Sequence, residues 1–132
     1  MRRNTLILKN NLLHLANGEE VSEISVNLLS EIDYVYLCIA RSFDEIEKIN
    51  FDQLEQNIGE SDCVVSSVPS SDSIKKIEGN LIVENLDRKV YKKITYPIYI
   101  KKDSLLSYLK SSEYSWNLKD ALKELDFVID SN

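Results

Sequence analysis

A chain of 132 residues with 43% hydrophobic and 29% charged residues has the size and composition of one domain, with a core large enough to need no disulfide or metal staple. These values exclude intrinsic disorder, and three glycines and two prolines argue against a loop-rich all-β scaffold. The net charge of -6 hides a segregation: residues 19–62 carry twelve acids against Arg41 and Lys48, whereas residues 73–110 carry nine bases against four acids.

The start, MRRNTLILKNNLLHLA, is basic, but its apolar run breaks at Lys9-Asn10-Asn11 and does not read as a secretory signal. Thr5 to Lys9 and Leu12 to Ala16 are expected to form a hairpin, because asparagine tolerates the positive φ of a tight turn. Glu19 to Ile32 is expected to be a helix with Val21, Ile24, Leu28 and Ile32 on its inner face. Tyr34 to Ala40 has the length and continuous apolarity of a buried strand. Ser42 to Glu45 matches a capping box, yet Phe43, Ile46 and Ile49 point one way while Phe51, Leu54 and Ile58 need another. The helical stretch is therefore expected to break at Asn50, which can cap a second helix ending near Gly59.

Cys63 to Val68 reads as a strand, Ser73 to Glu78 as a short helix stopped by Gly79, and Leu81 to Leu86 as a strand. Val90 to Lys101 reads as an extended ribbon whose Pro97 suits an edge or a bend. Asp103 to Lys110 and a segment capped by Asn117 close the chain as helices. The fold class is α/β: a single mixed sheet with a parallel βαβ core and antiparallel edges, flanked by helices, in one domain over residues 1–132. Cys38 and Cys63 lie in apolar runs and are expected to be buried free thiols. No run approaches the ~18 apolar residues of a membrane span, and a cytoplasmic protein is expected.

No sequence fingerprint of a catalytic, metal or nucleotide site occurs, so no catalytic residue, metal or cofactor is assigned. His14, the sole histidine, has no recognisable nucleophile motif beside it. Three surfaces remain. Asp44, Glu45, Glu47, Asp52 and Glu55 lie away from the apolar side of their helices and can form a negative docking face for a basic protein. The Ser-rich turn 66–73 leaves a strand end and enters the expected helix, where Ser70, Ser71 and Ser73 with backbone N–H groups can hold a phosphate or nucleotide. Helix capping alone also explains these serines, and Asp72 would repel an anion. The ribbon interleaves Tyr91, Lys93, Tyr99 and Lys101 on one face, a pattern able to stack on single-stranded bases, although lysine on an edge strand also deters pairing.

Small acidic domains without catalytic residues resemble bacterial immunity proteins and other toxin inhibitors in composition, though no motif is shared. The sequence-level expectation is accordingly a protein-binding module that neutralises a basic partner such as a toxin nuclease, with the balance against an enzyme and the question left open. A small-ligand (phosphate or nucleotide) binding domain or enzyme using the Ser-rich turn 66–73 ranks second, and single-stranded nucleic-acid binding through the ribbon third.

Overall fold

The computed structural model describes residues 5–47, 49–69, 74–78, 81–86 and 92–130. Strands β1 (Thr5–Lys9) and β2 (Leu12–His14) form the expected hairpin. Its two turn residues, Asn10 and Asn11, take φ of 53° and 65°, the left-handed pair that a tight hairpin turn requires. Helix α1 (Glu23–Ser30) leads to β3 (Tyr36–Ala40). A 3-10 turn (Phe43–Ile46) and helix α2 (Phe51–Ile58) lead to β4 (Cys63–Pro69). After β5 (Ile74–Glu78) and β6 (Leu81–Leu86) come β7 (Lys92–Lys101), α3 (Lys102–Ser111), α4 (Leu118–Glu124) and β8 (Phe127–Ile129).

The main sheet has six strands in the order β2-β1-β3-β7-β4-β8, with β5 and β6 forming a separate antiparallel pair. Strands β1 and β3 are parallel neighbours, as are β4 and β8, while β7 runs antiparallel between β3 and β4. The α/β fold with a mixed sheet is as expected. Alternating residues send one core to each face. Leu6, Leu37, Ile39, Val65, Ile98 and Ile100 pack beneath α1, α3 and α4. Ile7, Cys38, Ala40, Val64 and Tyr99 pack beneath the 3-10 turn and α2. Both cysteines are buried and neither is in a disulfide, and burial pushes the Cys63 thiol up to about 12.

The break at Asn50 is present. Asn50 has extended backbone, and its side-chain oxygen accepts from Gln53 N–H at 3.1 Å. Asn50→Ala is expected to lower stability by about 1 kcal/mol, the worth of one N-cap, as a reduced urea midpoint at unchanged slope.

Four expectations need correction. First, α1 starts at Glu23 rather than Glu19, because Val21 N–H bonds to the Leu13 carbonyl and Glu20 bridges His14. That edge pairing resets the helical phase. Val26 and Leu29 turn inward, while Ile24 and Leu28 stay 74% and 55% exposed.

Second, the Ser42–Glu45 capping box does not close, since Ser42 makes no side-chain cap and Glu45 turns back to Arg41. Third, residues 74–78 are strand β5, not a helix, so no helix start follows the Ser-rich turn. Fourth, the proline-bearing β7 is central rather than an edge. A register shift opposite Val65/Ser66 leaves Tyr96 and Pro97 without β4 partners, so the missing proline N–H breaks no ladder bond there. The Ser66 hydroxyl donates to the Pro97 carbonyl at 2.7 Å, which fills the bulge. Strand β8 was not anticipated: three residues are too short to carry a pattern.

Candidate functional site

Strands β1, β3, β4 and β8 all point the same way, so the segments that follow them gather at one sheet edge. In open α/β sheets this carboxyl edge is where ligands bind. Register places His14 of β2 beside Ile7 of β1, and Ile7 beside Ala40 of β3, in one row across three strands. Lys9, two residues beyond Ile7, shares its face. Arg41, Ser42 and Phe43 follow Ala40 directly.

These residues enclose a cavity of about 230 Å³, with Ile7, Leu15 and Phe43 supplying apolar surface. All its ionisable lining groups are bases: Lys9, His14 and Arg41. Three other cavities each include carboxylates. One of about 520 Å³ contains Asp62, Asp103 and Glu124; one of about 290 Å³ contains Glu31, Asp33 and Asp103; another of about 290 Å³ contains Asp120 and Glu124.

Each base is held differently. His14 Nδ1 lies 3.1 Å from the Leu12 carbonyl; donating there leaves Nε2 with its lone pair, and a protonated ring keeps a second N–H to give. Arg41 is already engaged. Its Nε donates to Glu45 at 2.8 Å, a terminal nitrogen lies 2.6 Å from the same carboxylate, and its guanidinium sits 5.7 Å from the Tyr96 ring centre. Tyr96 is anchored in turn by Trp116, whose indole N–H donates to its hydroxyl at 2.9 Å. Burial raises the Tyr96 hydroxyl above its ordinary range, against weaker lowering by that bond and by Arg41. Lys9 is exposed at the strand end and has no ion pair among the described residues. The turn at Leu15 to Glu19 closes the rim: Gly18 N–H bonds to the Leu15 carbonyl at 2.9 Å, with Gly18 at φ 94°, where a side chain would be strained.

The residues singled out from sequence fare unevenly. Within the acidic set, Glu45 is spent on Arg41, and Glu55 accepts the Tyr99 hydroxyl at 2.8 Å. Asp44, Glu47 and Asp52 remain exposed, so the five do not act as one free face. Tyr99 is 3% exposed, stacks on Tyr36 and touches Phe51, and cannot offer its ring to a base. Burial, with the bond to Glu55, raises its hydroxyl well above the usual range. Lys101 donates to the Gly59 carbonyl at 3.2 Å, while Lys93 is exposed. Tyr91, Ser70, Ser71 and Ser73 lie outside the described residues. Sequence reasoning missed Lys9, Arg41, Ser42 and Phe43 as a group with His14; the available signal was that each base or hydroxyl directly ends or follows a parallel strand.

No family model and no curated protein matches the sequence. Solved structures do match the fold. The 4-diphosphocytidyl-2C-methyl-D-erythritol synthase of Anaerococcus prevotii aligns with TM-score 0.55 at 12% identity over 79% of this chain and 53% of its own. The 2-C-methyl-D-erythritol 4-phosphate cytidylyltransferase of Thermus thermophilus gives 0.52 at 10% identity, over 81% and 56%. The bifunctional IspDF of Campylobacter jejuni gives 0.53 at 20% identity, over 81% and 28%. The chain spans about half the length of the first two. The expectation of an immunity-type inhibitor is overturned by this finding. The α/β sheet is shared with cytidylyltransferases, and the likeness at such identities concerns the fold.

Proposed function

We propose that this domain binds a phosphorylated small molecule of the nucleotide class at the carboxyl edge of β1 and β3. The observation that carries the reading is the all-basic ionisable lining of that cavity in a chain of net charge -6. Lys9 is a point charge lining the cavity, and His14, across from Ile7 in the strand register, adds a ring nitrogen to the same lining. The Ser42 hydroxyl adds a neutral donor. The proteins of like fold support the class: one is named as the synthase of a diphosphocytidyl compound and another as the cytidylyltransferase of a methylerythritol phosphate. The site moves from the Ser-rich turn to β1 and β3 because no helix start follows that turn.

Thermal-shift and calorimetric titrations with inorganic phosphate and cytidine 5′-monophosphate test the reading. A ligand at about 100 times its Kd stabilises the native state by about 2.7 kcal/mol, several degrees in Tm. Lys9→Ala and His14→Ala are each expected to weaken phosphate binding about tenfold, and Lys123→Ala, in the acidic cavity by α4, to leave it unchanged. Absence of any shift with either ligand at millimolar concentration, in low salt, refutes the proposal.

A further inference from the structure

We infer that the ligand of this cavity is a nucleoside monophosphate, its base stacked on Phe43 and its single phosphate held by Lys9 and His14. This rests on the phosphate-site reading above and goes beyond it in naming the base-binding group and the number of phosphates. Phe43 lines the cavity yet is 41% exposed. In its 3-10 turn the inward residue is Ile46, 4% exposed, so Phe43 is not what anchors the turn to the sheet. An aromatic ring left partly open to water beside cationic groups is the arrangement that stacks a base while neutralising phosphate. A sugar phosphate without a base would leave that ring uncovered.

Charge sets the phosphate number. A phosphate monoester carries about -1.5 to -2 near neutral pH. Of the three bases, Arg41 is already matched by Glu45, which leaves Lys9 and His14 to face the ligand. One fixed cation, Lys9, with a ring nitrogen of His14 beside it matches one phosphate and not three. The volume of about 230 Å³ suits one phosphate and a ribose inside, with the base at the mouth over Phe43.

The test compares cytidine 5′-monophosphate, ribose 5-phosphate and cytidine 5′-triphosphate by calorimetry on the wild type, Phe43→Ala and Phe43→Trp. The partly exposed position makes all three proteins comparably foldable, and Phe43→Trp retains a stacking surface. On the wild type the monophosphate is expected to bind at least about tenfold tighter than ribose 5-phosphate, a stack's typical worth. Phe43→Ala is expected to erase that ratio while leaving ribose 5-phosphate unchanged, and Phe43→Trp to preserve it. The triphosphate is expected to bind no tighter than the monophosphate. Equal affinity for monophosphate and ribose 5-phosphate, or a ratio that survives Phe43→Ala, overturns the stacking role while the phosphate site stands. A triphosphate bound more than about tenfold tighter than the monophosphate overturns the phosphate number. Failure of all three ligands removes the phosphate site itself, and this inference with it.

Discussion

Replacing Trp116 with alanine is expected to cost about 3–5 kcal/mol of unfolding free energy, a large part of what a domain of this size holds. Trp116 is 4% exposed and meets the Tyr108 ring edge-on at 5.4 Å between centroids. Its truncation opens a cavity in the core beneath α3 and α4 and also strips the Tyr96 hydroxyl of its donor. Trp116→Phe separates the two effects, keeping most of the ring packing and losing the hydrogen bond, for about 1 kcal/mol. Urea denaturation followed by circular dichroism measures both. The consequence for the site is indirect: the Tyr96 ring carries the Arg41 guanidinium, so a loosened Tyr96 frees Arg41 to move. A cost below ~1 kcal/mol for Trp116→Ala would show that the ring does not anchor this core.

Asp62→Ala is expected to cost about 2 kcal/mol, and Asp62→Asn roughly half of that. One carboxylate oxygen accepts from the Ser104 hydroxyl at 2.7 Å in the first turn of α3. The other accepts from Asp126 N–H at 2.8 Å, just before β8. The backbone of the same residue bonds to the Asp126 carbonyl and accepts from Lys101 N–H, each at 2.9 Å. One side chain thus ties the entry of β4 to the start of α3 and to the edge strand. The negative charge also suits the N-terminal end of α3. Hydrogen exchange is expected to report the loss first in β8, which among the described residues has only β4 beside it in the sheet. Exchange in β8 unchanged by Asp62→Ala would place its anchorage elsewhere.

Much of the fold was legible in the sequence where a local rule had no rival. Asn10-Asn11 could satisfy a positive-φ pair and did. The rotation between Ile49 and Phe51 demanded a break, and Asn50 supplied the cap. Legibility failed where a distant partner decided. The stripe Val21, Ile24, Leu28 looks helical, but Val21 belongs to the pairing with Leu13, and the stripe dissolves once the helix starts later. Pro97 argued for an edge because a ladder bond cannot be seen to be absent from one strand alone; the Val65/Ser66 step of β4, opposite which β7 bulges, lies about thirty residues away. The candidate site was illegible for a related reason. His14 was noticed as the lone histidine, but Lys9 and Arg41 become its neighbours only through the register of β1 with β2 and β3. The charge segregation was real as sequence, yet Glu45 and Glu55 answer to Arg41 and Tyr99 rather than to a partner.

The place of β7 in the sheet has a consequence for how the chain is made. Strands β3 and β4 emerge from the ribosome well before the strand that joins them. Until residues 92–101 follow, each has an unfilled edge and its apolar side chains lack their final neighbours. The centre of the sheet therefore closes late, by long-range pairing, and the loop-closure entropy must be met before either core consolidates. The vulnerable species in vectorial synthesis is a nascent chain ending before β7, with one edge of β3 and both edges of β4 open to the wrong partner.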